Sequence, residues 1–266
     1  MKNKILIASA FTFFLVSCSK VPITNRKQLN MLPESQMIAM SLTSYHDFLK
    51  EHPPVPSADA NAQLVTNVGK KVSSSVVQFM RQNKMSDRIN GYKWEFNTVQ
   101  SKDINAWCMP GGKIVVYTGL LPVTQDEASL AFVMGHEIAH AVARHGNERM
   151  SQMLLAASGE IALDVALRNK PAETRAMFHT AYGLGATVGA ILPFSRLHET
   201  EADKLGMIFM AMAGYDPHVG IGLWQRMSKA SGGGKPPEFL STHPSDQTRI
   251  NNINAYMPTA MKYYKK

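Results

Sequence analysis

The segment His136-Glu137-Ile138-Ala139-His140 constrains this chain more than any other. Residues four apart lie one above the other on a helix, so a helix here aims two imidazoles at one point and sets the Glu137 carboxylate beside it. Two neutral imidazoles and an adjacent carboxylate are the donors and the base that a water-activating zinc ion needs. His136 and His140 are therefore assigned as metal ligands and Glu137 as the catalytic base, with one zinc ion per chain. Two ligands do not complete such a site, so the fold must bring a second segment against this helix.

Spacing narrows the third ligand. His145 is excluded, because five residues past His140 lies about 140° around the axis, and the position six past His140 is Gly146. The stretch from Ser195 to Asp203 reads as the opening of a helix with Leu205, Ile208, Phe209 and Met212 as its core stripe. Glu199 and Asp203 share another face, with Ala202 and Gly206 small enough for close approach to the metal helix. Glu199 is assigned as the third ligand, with His198 as the alternative. Asp203 is assigned to accept the outer N–H of His136, and Glu201 is read as a solvated charge.

The rest of the chain supplies a scaffold. Leu32-Pro33-Glu34-Ser35 leads into a helix through Leu49, ended by the prolines at 53, 54 and 56. Leu64, Val68, Val72, Val76 and Phe79 recur at spacings of four and three, a core helix. Tyr92 to Thr98 alternates with period two, and Asn105 to Met109 and Lys113 to Thr118 flank a Pro110-Gly111-Gly112 turn, which predicts a small antiparallel sheet. Thr124-Gln125-Asp126-Glu127 has the form of a capping box ahead of a helix reaching Arg144, with Gly146 as its C-terminal cap. A weaker helix runs from Met150 to Leu167. Tyr182 to Leu192 is too short to span a bilayer and reads as close helix packing. The fold class expected is α+β, mainly helical, with the sheet above the active-site helix.

The N-terminus reads differently. Lys2 and Lys4 precede an apolar run from Ile5 to Val16 that ends at Leu15-Val16-Ser17-Cys18, the pattern of a lipoprotein signal. The organisation expected is a leader at 1–17, a lipidated tether at 18–33 and a zinc metallopeptidase domain at 34–266, anchored to a membrane through acylated Cys18. Ser19 after that cysteine lacks an inner-membrane retention signal, so an outer-membrane protein facing the periplasm is expected, provided the cell has two membranes. Cys108 is the other cysteine, which leaves no intramolecular disulfide and fits strand packing. Of the net charge of +8, two units leave with the leader. No aromatic and basic interleaving accompanies the excess, so no nucleic-acid partner is implied.

Four separated motifs in order carry a resemblance: Asn105-Ala106 with Pro110-Gly111-Gly112; His136 to His140 followed by Arg144-His145-Gly146; Ser195-Arg196 with Glu199 and Asp203; and Thr242-His243-Pro244 with Arg249-Ile250. The chain resembles the HtpX-like and CAAX-prenyl-protease-type zinc metallopeptidases, in particular their bacterial lipoprotein members, over nearly all of the expected mature length. The resemblance implies a gluzincin fold and endopeptidase activity on unfolded or misfolded envelope polypeptides, in protein quality control. It also implies that an edge strand, with Asn105, Ala106 and Trp107 as substrate-binding residues, pairs with an extended substrate. The prenyl-protease members have many membrane helices. None is expected here, and prenylated substrates are not implied.

His243 follows the glycine-rich stretch Ser231 to Pro237. Its imidazole is assigned a catalytic-site role, either as a latch on the fourth metal position or as a donor to the oxyanion, with a structural histidine as the plain alternative. Arg249 is assigned to a carboxylate near the site. The other function class open to the sequence is a non-enzymatic, zinc-stabilised chaperone or assembly lipoprotein. Glu137 argues against it, because a structural zinc has no use for a base.

Overall fold

The computed structural model describes residues 18–168, 172–186, 192–230, 238–243 and 247–265. The expected leader at 1–17, residues 169–171 and 187–191, the glycine-rich stretch at 231–237 and Pro244 lie outside this set. The chain begins with β1 (Cys18–Lys20), β2 (Lys27–Leu29), α1 (Glu34–Glu51) and α2 (Ala60–Gln82), followed by β3 (Glu95–Val99), β4 (Ala106–Met109) and β5 (Lys113–Tyr117). Then come α3 (Leu121–Thr124), α4 (Glu127–Val142), α5 (His145–Leu167) and α6 (Ala172–Ala186). The last elements are α7 (Leu192–Met212), α8 (Val219–Ala230), α9 (Glu238–Thr242) and α10 (Gln247–Ala260). The class is α+β and mainly helical, as the sequence predicts. Two compact units result, Glu34–His145 with Ser195–Lys266 and Met1–Pro33 with Gly146–Phe194.

In the first of these units α4 is the central element. Every residue from Ser129 to Val142 is buried, with α2, α8 and β4 among the elements packed on it. A helix apolar nearly all round has no face to give to water, and α4 carries only Glu137, His136 and His140 as polar exceptions beyond its first turn. α2 contributes Val65, Val68, Val72, Val76 and Phe79 to the same core. α4 and α7 cross where both lack a side chain. A Cβ built on Gly206 would lie 2.8 Å from the His136 backbone nitrogen, and one on Gly135 would lie 2.9 Å from the Gly206 carbonyl oxygen. This is the close approach that Ala202 and Gly206 predict.

The sheet has the order β3-β5-β4, with β4 at one edge. β4 and β5 are antiparallel, as expected, with Met109 opposite Lys113 across Pro110-Gly111-Gly112. Gly111 and Gly112 both take positive φ, and the Trp94 ring lies where a side chain on Gly112 would be. β3 instead runs parallel to β5. The alternation of residues 92–98 does not translate into one open face, because Glu95 and Asn97 bond the buried Tyr45 while Phe96 lies against Gly69 of α2, and it says nothing about strand direction. β5 inserts between β3 and β4, which makes the sheet mixed.

Two helix ends differ from expectation. The N-cap of α4 is Asp126, which accepts a 2.6 Å bond from the Ser129 N–H, whereas Thr124 closes the separate helix α3. Gln125, at φ 69°, turns the chain between them and breaks the expected box. At the other end Arg144 takes the left-handed conformation (φ 61°) expected of Gly146, and Gly146 lies inside α5.

In the other unit, residues 18–33 are tied to the start of α5. Arg26 grips Glu148 through two bonds of 2.6 and 2.7 Å, Gln28 adds a third at 3.0 Å, and the Asn147 amide donates to the Leu32 carbonyl. α5 and α6 are linked by His179 on Glu160 (2.7 Å) and Arg175 on Asp164 (2.9 Å). Met153, Leu154, Leu155, Ile161, Val165, Met177 and Phe178 are exposed on these helices. α5 is long and apolar enough by length and composition to cross a membrane, against the expectation that no such helix follows the leader. Its polar residues are interspersed, so it does not read as one continuous apolar run.

Candidate metal centre

The helical spacing of α4 and the close crossing with α7 bring His136, His140 and Glu199 together. His243, next to α9, joins them. One donor atom from each of the four falls within 4.8 Å of the other three. The Nε2 atoms of His136 and His140 are 3.0 Å apart. Glu199 Oε2 lies 3.3 Å from the first and Oε1 3.2 Å from the second. His243 Nδ1 sits 3.2 Å from His136 Nε2 and 3.0 Å from both Glu199 oxygens. Three ring nitrogens and a carboxylate converging on one point is an arrangement that a cation between them satisfies and hydrogen bonds alone do not. Zinc fits this donor set.

Glu137 points into the same pocket. It is 4 % exposed, and its Oε1 has no hydrogen-bond partner, with His243 Nε2 3.4 Å away. A buried carboxylate oxygen that accepts no hydrogen bond is costly unless a water or substrate group meets it there. Burial raises the Glu137 pKa above the ordinary carboxyl range, which moves it toward the neutral pH at which a base works best.

The outer partners follow. His136 Nδ1 donates to Asp203 Oδ1 at 2.9 Å, the pairing the sequence predicts. Arg249 holds the same carboxylate from the other side, Nε to Oδ2 at 2.7 Å and Nη2 to Oδ1 at 2.8 Å, and reaches Glu199 Oε2 with Nη1 at 3.0 Å. Its guanidinium stacks 3.9 Å over the Trp224 ring. Burial acts to raise the Asp203 pKa, but Arg249 and His136 together outweigh it and hold the group below its usual value. Burial alone would lower the pKa of His136, but bonds to Asp203 and Glu199 raise it to about 9. Loading a cation there therefore displaces a proton. Burial lowers that of His140 well below the usual value, which keeps its ring neutral.

Glu201 corrects the sequence reading. It is 1 % exposed and pairs with His145 Nε2 at 3.1 Å. His145 in turn meets His140 Nδ1 at 2.9 Å, and His198 stacks on His145 at 4.3 Å. His198 is thus buried behind the donor cluster. The turns after Glu201, Leu205 to Met210, are apolar on every face, but Thr200 and Lys204 beside it are partly exposed, so the helix by itself does not mark Glu201 as buried. Cys108 packs in β4, and burial raises its thiol pKa well above the ordinary range.

Of the expected substrate strand, Asn105 and Ala106 are buried and Trp107 is partly buried, its ring edge-on to Phe48. Asn105 Oδ1 accepts from the Ala106 N–H, and its carbonyl accepts from the Tyr117 N–H. The Phe239 N–H bonds Ile104 O at 3.2 Å, which ties the segment bearing His243 to the residues just before β4.

A helix offering two histidines and a base, crossed by a helix with a glutamate, is the arrangement of a zinc metallopeptidase. The model of peptidase family M48 matches residues 69–257, and the chain belongs to that family. Among its relatives, the mitochondrial metalloendopeptidase OMA1 of Schizosaccharomyces pombe is 34 % identical over 96 % of this chain and 71 % of its own length. The mitochondrial metalloendopeptidase OMA1 of Homo sapiens is 30 % identical over 94 % of this chain and 48 % of its own. The beta-barrel assembly-enhancing protease of Escherichia coli is 29 % identical over 64 % of this chain and 36 % of its own. The chain thus spans about half the length of the human relative and about a third of the bacterial one. These matches overturn one expectation. Relatives aligned over 94–96 % of the chain are named mitochondrial, which contradicts the placement as an outer-membrane lipoprotein facing the periplasm. That inference had rested on the leader pattern ending at Cys18 and on Ser19.

Proposed function

We propose that the chain cleaves unfolded or misassembled polypeptides at a membrane surface, with zinc held by His136, His140 and Glu199. The observation that carries this reading is the buried Glu137 carboxylate beside the convergent donors, with an oxygen that accepts no hydrogen bond among the described residues. Zinc supplies a Lewis acid for the attacking water and the scissile carbonyl. Glu137 takes the proton of that water and returns it to the departing amine. Asp203 orients His136 from behind, and Arg249 balances the charge of Asp203 and Glu199.

Substrate enters as an added strand on the free edge of β4, from Asn105 through Trp107, which uses backbone bonds and leaves side-chain selectivity loose. The exposed apolar side chains of α5 and α6 supply the lipid contact. The test is cleavage of a permanently unfolded polypeptide by the purified chain. Chelation abolishes it and zinc restores it. Binding of that polypeptide without any zinc-dependent cleavage would favour the assembly-factor class instead.

His243 is assigned the latch role. Its Nδ1 lies among the donors, 3.0 Å from both Glu199 oxygens, and a ring held there would compete with an attacking water for a bound ion. The backbone bond from Phe239 to Ile104 supports coupling between a substrate on β4 and release of that ring. His243→Ala is expected to raise basal cleavage several-fold while zinc content stays near one per chain. A marked loss of activity would instead assign the ring to oxyanion stabilisation.

A further inference from the structure

We propose that Glu201 and His145 form a proton-ordered relay that positions His140, so that each α4 histidine is backed by a carboxylate, one directly and one through a second imidazole. The proposal deepens the ligand assignment above and rests on it. His140 faces the donor cluster with Nε2, 3.2 Å from Glu199. A neutral imidazole that offers its Nε2 lone pair carries its proton on Nδ1.

That Nδ1–H has one acceptor in reach, His145 Nδ1 at 2.9 Å. His145 must then hold its own proton on Nε2, which points at Glu201 Oε2, 3.1 Å away. Each donor meets an acceptor, and reversing either tautomer sets two protons or two lone pairs against each other. His145 is 0 % and Glu201 1 % exposed, so no bulk water competes. His198 lies 4.3 Å from His145 at 14°, which fixes the plane of the relaying ring. His136 has its carboxylate directly, Asp203 at 2.9 Å. His145 is thus a positioning residue: α4 ends at Val142, the left-handed turn at Arg144 redirects the chain, and His145, the first residue of α5, is set behind His140.

The test is a double-mutant cycle read by zinc affinity, through competition with a chelating dye, on the full chain. His145→Phe and Glu201→Leu are each expected to weaken zinc about 10–100-fold, the usual cost of removing an outer partner. The pair together should cost no more than the worse single change, because both break one path. Glu201→Gln, which keeps an acceptor and removes the charge, should lose less, and it carries the test if Glu201→Leu does not fold. The d–d spectrum of the cobalt-substituted protein should shift in each relay variant. Zinc affinity and cobalt spectrum like wild type in His145→Phe and Glu201→Gln, or additive losses in the double variant, would overturn the relay. His140→Ala is the control. Unchanged zinc affinity there would overturn the ligand assignment itself, and the relay with it.

Discussion

Glu137→Gln protein is expected to turn over about 10²–10⁴-fold more slowly than wild type, the range that a positioned general base contributes. Its zinc content should be unchanged. The amide keeps the volume of a side chain that is 4 % exposed, and Glu137 is outside the cluster of four donors. It cannot accept a proton from water. The loss should fall on kcat, because the β4 edge that receives substrate is untouched. The decisive measurement is kcat and KM on an unfolded substrate, with metal content by elemental analysis. A wild-type rate in zinc-loaded Glu137→Gln protein would remove the proposed mechanism.

Arg249→Leu is expected to cost about 3–5 kcal/mol of folding stability, the usual consequence of removing one partner of a buried ion pair. Arg249 is 6 % exposed, and its bidentate bonds to Asp203, its contact with Glu199 and its stacking on Trp224 would all be lost together. Asp203, 4 % exposed, would keep its burial and lose Arg249, the larger of the two partners that with His136 offset it. The pH dependence follows from that sign. A carboxyl held below its unfolded pKa stabilises the fold above that unfolded value and loses the contribution as pH falls through the folded one. The gap between wild type and Arg249→Leu should therefore be widest near neutrality and close below the ordinary carboxylate range. Arg249→Lys should recover part of it, since an ammonium supplies charge without the planar fork. Denaturant titration of the metal-free proteins at several pH values measures both effects. A loss below about 1 kcal/mol, within the range of an exposed pair, would show that the guanidinium is not what compensates Asp203.

Much of the site was legible because helical periodicity is local. The four-residue interval between His136 and His140 puts both on one face whatever surrounds the helix, and the interval from Glu199 to Asp203 does the same on α7. Gly206 was readable as a point of close approach because it shares the side of α7 that carries those residues, and the structure sets it against the backbone of His136. The α2 core stripe followed from the same rule.

What the sequence could not decide depends on partners from distant segments. Glu201 looked solvated because its own helix does not say what packs against each face, and His145, 56 positions earlier, makes it a buried partner. The capping box failed because Gln125 turns at positive φ, a choice made by the chain around it. Alternation within β3 missed that Tyr45 covers its polar face, and its parallel pairing with β5 arose from where β5 inserts. By itself, then, the sequence determined which residues share a face: two histidines and a base on α4, a glutamate and an aspartate on α7. The tertiary structure alone decided that His243 enters the donor cluster, that Arg249 clamps Asp203 and that Glu201 stands behind His140. Sharing a face is a property of one element's period, whereas meeting across elements depends on how every other element packs.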